Sequence, residues 1–236
     1  MENASYVTLS RQSGLLREMQ SVANNIANAS TTGYRKEGVI FAEFVRRIEG
    51  GDSLSMGALR ARHVSDLQGA LTRTGDPFDL AVEGPGYFLV ETGEGERLTR
   101  AGSFISGPDG ELVTPDGHRL LDAGGAPVFA PPNAEIAIGT DGTLSADGRL
   151  VAQIGLYRPT DPLGLQREAG VLFRSEDGVE PEPGGRVLQG FLEKSNVDPV
   201  GQVARMIEVQ RAYELGQSFL DAENERIRSA IRTFIE

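Results

Sequence analysis

Apolar residues recur at alternating steps of three and four along the C-terminal part of the chain. The repeating positions are Met206, Val209, Tyr213, Gly216, Leu220, Glu223, Ile227, Ala230 and Phe234. The mean step of 3.5 residues is the period of a left-handed coiled coil. Asp198 is a suitable N-cap and Pro199 suits the first helical position, where an N–H is not needed. The pattern therefore predicts a helix over residues 199–235, roughly 55 Å long.

The N-terminal part of the chain has a similar stripe. It is formed by Leu9, Gln12, Leu16, Met19, Ala23 and Ile26, with Leu15 and Val22 widening it. Because the two end helices have compatible periods, we expect them to pair as an antiparallel coiled coil, with the rest of the chain inserted between them. The alternative is that each helix lies, as an ordinary amphipathic helix, on its own domain.

Three asparagines, Asn24, Asn25 and Asn28, are placed by a helical wheel on the side opposite this stripe. A solvent-facing side would usually carry charge, and asparagine is a weak helix former. An amide both donates and accepts hydrogen bonds, so it suits a packed polar interface. We therefore expect these residues to serve subunit assembly. Gly33 is expected to end this helical region in a conformation that β-branched residues resist.

The middle of the chain has the signals of antiparallel β-structure. Asp-Gly, a strong hairpin signal between apolar runs, occurs at residues 109–110, 116–117, 141–142, 147–148 and 177–178. Turn signals recur every few residues with no helical period between them. The expected fold class is therefore α+β, with an inserted all-β domain resembling an antiparallel barrel or sandwich. The predicted domains are a helical part (1–35 plus 199–236), an extended connector (36–75) and a β-rich part (76–198).

Composition narrows the possible functions. The 236 residues have a net charge of -11, and the segment 36–198 accounts for all of it, with 15 basic and 26 acidic side chains. Such an acidic chain lacks the basic surface that non-specific nucleic-acid binding requires. There is no cysteine, which excludes disulfides and cysteine metal sites. The amphipathic start of the chain has no apolar run of signal-peptide length, so we expect either an internal protein or export without a cleaved signal.

Residue patterns for catalysis or cofactor binding are weak. The two histidines, His63 and His118, lie in polar contexts without metal-ligand spacing. No nucleophile elbow or phosphate-binding loop is present in the sequence. Five of the twelve aspartates of the middle segment belong to Asp-Gly turns, where local backbone bonding explains them. We therefore expect no enzyme activity, no cofactor, no metal and no small-molecule substrate.

Three segments resemble the axial proteins of the bacterial flagellum, in the order in which that family has them. The N-terminal signature of the rod, hook and hook-associated proteins resembles "VANNIANASTTGYRK", which begins at Val22. The core shared by the hook protein and two rod proteins resembles "EGPGYFLVE" and "RLTRAGSFISGPDGELVTPDGHRLL", which lie within 83–121. The C-terminal signature resembles "LEKSNVDPVGQVARMIEVQRAYELGQSFLDAENERI", which begins at Leu192. The chain is too short for a hook protein, and its opening is most similar to the proximal rod type.

The resemblance implies a structural subunit of the basal-body rod. Such a subunit would be exported unfolded by the flagellar type III apparatus, without a cleaved signal peptide, and would polymerise with itself and other rod proteins in the periplasm. The helices would line the inside of a tube that transmits torque from motor to hook. Three alternatives stay open here: a distal rod protein, a rod-associated enzyme that cleaves the cell wall, and a coiled-coil adhesin or stalk.

Overall fold

The computed structural model describes the backbone of residues 2–46 and 54–235 and the side chains of residues 7–40 and 63–232. This part of the chain forms two compact units, each of which is described separately below. The helical unit takes its residues from 1–27, 37–63 and 198–236, and the β-unit from 28–36 and 64–197. The division differs from the predicted domains: residues 28–36 and residues 64–75 group with the β-unit, and residues 37–63 group with the helices.

The helical unit contains the two long helices, α1 (Glu2–Ala27) and α2 (Pro199–Ile235). The backbone N–H of Val200 donates to the Asp198 carboxylate at 3.1 Å, so the predicted N-cap of α2 is confirmed. Strands β1 (Glu37–Arg46) and β2 (Leu54–Val64) pair with each other as a two-stranded sheet. Part of the predicted connector is therefore β-structure, while residues 47–53 of that prediction lie outside the described residues.

The β-unit is built from short strands that pair mainly with antiparallel neighbours. These strands are β3 (Leu71–Arg73), β4 (Leu80–Glu83), β5 (Phe88–Thr92), β6 (Gly95–Thr99), β7 (Ile105–Ser106), β8 (Leu112–Val113), β9 (Arg119–Leu120), β10 (Ile136–Ile138), β11 (Thr143–Ala146), β12 (Arg149–Gln153), β13 (Tyr157–Pro159), β14 (Leu165–Ala169), β15 (Leu172–Ser175), β16 (Val179–Pro181), β17 (Arg186–Gln189) and β18 (Phe191–Glu193). A 3-10 turn, Pro162–Gly164, precedes β14.

The largest sheet of the β-unit is open. Its seven strands have the order β14-β15-β6-β5-β9-β8-β7, with β14 and β7 at the two edges. Beside it are the three-stranded sheet β10-β11-β12 and the pairs β13-β16, β17-β4 and β18-β3. The predicted α+β class is confirmed, but the sheets of the described residues do not close into a barrel. The hydrophobic pattern identifies strands without specifying whether a sheet meets itself, because closure depends on strand tilt and stagger.

Four of the five Asp-Gly pairs form the hairpins that the sequence predicts. They connect β7 to β8, β8 to β9, β10 to β11 and β11 to β12, and each of these strand pairs is antiparallel. At the last of them Asp147 and Gly148 both have positive φ, as a type I′ turn requires. The fifth pair, Asp177-Gly178, joins β15 to β16, which pair with other strands.

The core of the β-unit consists of two clusters of buried apolar side chains. The first includes Phe88, Leu112, Leu120 and Leu144, and the second is centred on Phe173 and Leu98. Each cluster contains an edge-to-face ring pair: the ring centroids of Phe88 and Phe104 are 5.6 Å apart, and those of Tyr87 and Phe173 are 5.9 Å apart.

Candidate assembly helices and buried polar clusters

Helices α1 and α2 lie side by side within the helical unit and run in opposite directions. Hydrogen bonds between described residues that join them include Gln12 Nε2 with Tyr213 O (2.9 Å), Arg205 Nε with Glu18 Oε1 (2.8 Å), and Asn25 Nδ2 with Gln202 Oε1 (3.1 Å). Later positions in α1 contact earlier positions in α2, which makes the pair antiparallel. The hydrogen bond with Glu18 raises the pKa of Arg205, because the carboxylate stabilises the guanidinium charge.

Exposure along α2 follows the predicted stripe from Met206 to Glu223. The stripe residues that are buried or half-buried are Met206, Val209, Tyr213, Gly216, Leu220 and Glu223. Further on, Ile227 and Ala230 are exposed, and the side chain of Phe234 lies outside the described residues. The change at Ile227 has a geometric reason. Ten residues before Gln12 is Glu2, and ten residues after its partner Tyr213 is Glu223, so residues 224–235 continue past the first described residue of α1 by roughly 18 Å.

In α1 the buried face differs from the predicted stripe. Three predicted packing residues, Leu9, Leu16 and Ala23, are exposed, while Met19 and Ile26 are half-buried. Among the described side chains of α1, the fully buried ones are Gln12 and Val22 of the predicted stripe together with Gly14, Glu18, Ser21 and Asn25. Most of these are polar or lack a side chain, so a pattern that counts apolar residues identifies only part of the buried face. Hydrogen bonds to α2 and β1 make their burial favourable.

Asn25 provides the strongest polar contact at the end of α1. Its Nδ2 donates to Glu37 O at 2.7 Å, and its Oδ1 accepts from Glu37 N at 2.9 Å. The amide thus bonds the first residue of β1 as a neighbouring strand would. Ser21 Oγ also donates to Glu37 O. Asn25 is 1% exposed, so its amide is used within its own chain.

The other two asparagines have different surroundings. Asn24 is exposed, and Asn28 lies beyond the end of α1, where its backbone carbonyl accepts from Thr31 N and its Oδ1 accepts from Thr31 Oγ1. Their assignment to subunit assembly stays a prediction.

Gly33 lies within the β-unit, six residues after α1 ends. Its φ is +69°, and an added Cβ would lie 2.2 Å from Ala101 N. Its own N–H donates to Glu193 O at 2.7 Å. Gly33 is therefore required both for left-handed backbone and for close approach to another chain segment. It does not end the helix as predicted, because α1 already ends at Ala27.

A buried arginine–glutamate cluster, formed by Arg35, Arg100 and Glu193, lies in the β-unit. Glu193 Oε1 is 2.9 Å from Arg35 Nη2, and its Oε2 is 3.1 Å from Arg100 Nη1. The three side chains are between 1% and 4% exposed. Burial, followed by the nearby charge of Arg35, lowers the pKa of Arg100 to about 10. Two cations thus share one carboxylate in a desolvated environment.

Asn196 ties together the chain segments next to this cluster. Its Oδ1 accepts from Lys36 N at 2.6 Å, its Nδ2 donates to Leu67 O at 2.6 Å, and its backbone N–H donates to Tyr34 O at 3.3 Å. Tyr34 is buried, and the guanidinium of Arg167 stacks on its ring at 4.1 Å. These contacts explain why residues 28–36 form part of the β-unit.

Sequence reasoning did not identify several residues of these clusters. They are Glu18, Arg35, Glu37, Arg100, Glu193, Asn196 and Gln202. A charged or amide residue in a strand or helix normally indicates a solvated face, so periodicity gives no signal for a buried one. A weaker signal was present, because most of these residues lie within the segments quoted for the family resemblance.

Among the described residues, no group of three or more histidine, aspartate or glutamate side chains is arranged to hold a metal ion. No helix in the described part of the chain is apolar enough over a sufficient length to cross a membrane. The side chains of the clusters around Asn25 and Glu193 bond to one another and to nearby backbone. These contacts hold segments of the chain together.

Three family models match separate parts of the chain. The family model for flagella basal body rod proteins matches residues 6–35. The family model for the D1 domain of the flagellar hook protein FlgE/F/G matches residues 81–156. The family model for the C-terminal part of the flagellar basal body rod FlgEFG proteins matches residues 188–233. Arg35, Arg100 and Glu193 fall one in each matched segment. The three segments therefore meet at one buried cluster.

Curated relatives cover nearly the whole chain. The flagellar basal-body rod protein FlgF of Caulobacter vibrioides is 40% identical, covering 98% of this chain and 97% of its own length. The FlgF of Mesorhizobium japonicum is 38% identical, covering 91% of this chain and 90% of its own length. The rod protein FlgG of Bacillus subtilis is 29% identical, covering 96% of this chain and 97% of its own length.

This chain, two antiparallel helices with an inserted β-unit, belongs to the family of flagellar basal-body rod proteins. Within that family it is of the FlgF type, since these FlgF relatives are more similar to it than FlgG is. It is a structural subunit of the rod and not an enzyme, so the cell-wall-cleaving alternative is wrong.

Proposed function

We propose that the chain is a proximal rod subunit that polymerises through α1 and α2 into the tubular drive shaft between motor and hook. In this proposal the two helices pair as an antiparallel coiled coil. They then pack against the helices of neighbouring rod proteins, both copies of this chain and related proximal and distal subunits. The tube formed in this way transmits torque.

The observation that carries this proposal is that α2 is apolar on two sides. One side is the half-buried stripe from Met206 to Glu223. The other consists of large apolar side chains that are 46–79% exposed: Val200, Val203, Ile207, Leu215 and Phe219. Ile227 and Ile231 continue the stripe side past the first described residue of α1, and they are 44% and 52% exposed. A helix that is apolar on more than one side belongs in a packed environment, and exposed apolar surface of this extent marks interaction sites.

A groove on the helical unit supports the same interpretation. It has a volume of about 420 Å³ and runs between the two helices, with Leu15 on one side and Leu215 and Phe219 on the other. The small residues Ala212 and Gly216 line this groove, which allows another helix to approach closely.

The proposal extends to the route by which the subunit reaches the rod. Export through the flagellar type III apparatus, followed by folding in the periplasm, is the route that membership of the rod family suggests. A chain without cysteine cannot form wrong disulfides in an oxidising compartment.

Ile227→Asp tests the proposal. Ile227 is 44% exposed, so the charge should leave the thermal unfolding of the free subunit unchanged. In a packed helical seam the same charge would be costly, and we expect loss of motility and of the subunit from isolated basal bodies. Ser218→Asp, which adds the same charge at an exposed polar position, is the control.

Leu220→Asp should also block assembly, without unfolding residues 76–195. Leu220 is half-buried in the predicted stripe, so this variant reports on packing between α1 and α2 as well. Normal motility of both variants would contradict assembly through the helices. A lower melting temperature of the β-unit in either variant would point to general destabilisation.

A further inference from the structure

The arginine–glutamate cluster connects the first and the last segments of the β-unit. Arg35 belongs to the first segment, residues 28–36, and Glu193 ends β18, the last strand. Beyond the ion pair, the backbones of the two segments are joined by Gly33 N to Glu193 O at 2.7 Å. Residues 28–36 continue directly from α1, and α2 follows shortly after Glu193.

The charges within the cluster make Glu193 indispensable for this arrangement. Both guanidinium groups contact its carboxylate, and Gly69 N donates to the same Oε1 at 2.8 Å. The Nε atoms of Arg35 and Arg100 are buried without a hydrogen-bond partner. The Glu193 carboxylate is therefore the main group that offsets the cost of burying these two guanidinium charges. Without Glu193, two like charges would be buried side by side, which is strongly unfavourable.

The remaining contacts of the two arginines differ. Arg100 Nη1 and Nη2 also donate to Val82 O and Gly84 O, at 3.2 Å and 2.7 Å. Arg35 donates to Leu67 O. Arg100 is thus held by two carbonyls of the β4 region, while Arg35 belongs to a nine-residue segment without helix or strand. If the carboxylate is lost, the least costly response is that residues 28–36 leave and Arg35 regains water.

We propose that Glu193 is a closing residue, whose carboxylate holds residues 28–36 in the β-unit only when β18 is paired with β3. Glu193 pairs with Leu71 in that sheet, so its position depends on the last strand being in place. The first segment therefore docks together with the last one. Within the β-unit, this keeps the segment that leads to α1 next to the segment that leads to α2.

The role of this cluster in assembly rests on the proposed function. Two helices can pair as an antiparallel coiled coil only if the chain ends that lead to them stay close. Release of residues 28–36 would allow these ends to separate without disturbing the apolar core of the β-unit. The cluster is thereby a positioning device for the helices and contributes nothing to their own contact surface.

Amide hydrogen exchange on the full-length free subunit tests the proposal. The amides of Gly33 and Lys36 report on residues 28–36, and those of β5 and β6 report on the core sheet. In Glu193→Gln we expect protection of Gly33 and Lys36 to fall by about 100-fold or more, since a buried charge loses its counter-ion. Protection of β5 and β6 should stay within about threefold, since their core contacts are unchanged.

Two further variants provide the control and the rescue. Glu168→Gln removes a carboxylate that pairs with Arg97 and is 33% exposed, and it should leave both sets of amides unchanged. Arg35→Met combined with Glu193→Gln removes a cation together with the anion. It should recover at least about tenfold of the lost protection, because an apolar side chain can replace a buried ion pair.

Three outcomes would overturn the proposal. They are unchanged protection of Gly33 and Lys36 in Glu193→Gln, an equal loss in β5 and β6, and failure of the double variant to recover. Equal loss throughout would make Glu193 a general stabiliser of the unit. Because exchange is measured on the free subunit, these outcomes are independent of whether the chain assembles through its helices.

Discussion

Replacement of Asn25 by alanine sets helix propensity against tertiary hydrogen bonding. Alanine is the better helix former, by about 0.6 kcal/mol in a helix interior. In the structure, however, the Asn25 amide bonds both Glu37 N and Glu37 O and also donates to Gln202 Oε1, at distances of 2.7–3.1 Å. The residue is 1% exposed, so water cannot replace these bonds without opening the helical unit.

The magnitudes decide the sign of the effect. Truncation leaves the Glu37 N–H and the Gln202 carbonyl without this partner, and each unsatisfied buried group costs about 1–3 kcal/mol. Ser21 still donates to Glu37 O, which limits the loss at that atom. The two groups together cost about 2–6 kcal/mol. After the gain in propensity is subtracted, we expect Asn25→Ala to destabilise the helical unit by about 1.5–5.5 kcal/mol.

Asn24→Ala is a matched control one residue away. It gains the same propensity, but its side chain is exposed, so we expect a change of less than about 0.6 kcal/mol. Urea unfolding of the full-length variants, followed by far-UV circular dichroism at a helical wavelength, measures both. A peptide of residues 3–33 should become more helical with either substitution.

Equal urea midpoints for the two full-length variants would refute the reasoning. Such a result would mean that the bonds to Glu37 and Gln202 contribute nothing beyond what water provides. The asparagine would then be tolerated at this position and not required there.

Two further pairs of substitutions test contacts seen only in the folded chain. Gly33→Ala and Gly75→Ala both place a side chain at positive φ, which costs about 1–2 kcal/mol. Only the Cβ at Gly33 would overlap backbone, so urea unfolding should show a cost at least about 1 kcal/mol larger there. Equal costs would contradict the close approach to Ala101. Glu18→Gln and Glu208→Gln each remove a carboxylate bonded to Arg205. The side chain of Glu18 is 9% exposed and that of Glu208 is 64% exposed, so a thermal melt should show a loss of stability of about 1–3 kcal/mol for Glu18→Gln and of less than about 0.5 kcal/mol for Glu208→Gln. The reverse order would refute the role of burial.

Local patterns determine much of this fold. Asp198 and Pro199 fix the start of α2, and the stripe beginning at Met206 fixes the side of α2 that faces α1. Four Asp-Gly pairs fix hairpins, because the turn conformation depends on neighbouring residues alone. Family membership likewise follows from contiguous stretches of sequence.

The tertiary structure decides which polar residues are buried. Hydrophobic periodicity does not show that Asn25 and Glu193 are buried within their own chain, since their partners are Glu37 and Gln202 in one case and Arg35 and Arg100 in the other. The buried face of α1 and the placement of residues 28–36 in the β-unit both depend on these distant contacts. A hydrophobic pattern records the preference of each residue for water, whereas burial of a polar group depends on a partner that only folding brings within hydrogen-bonding distance.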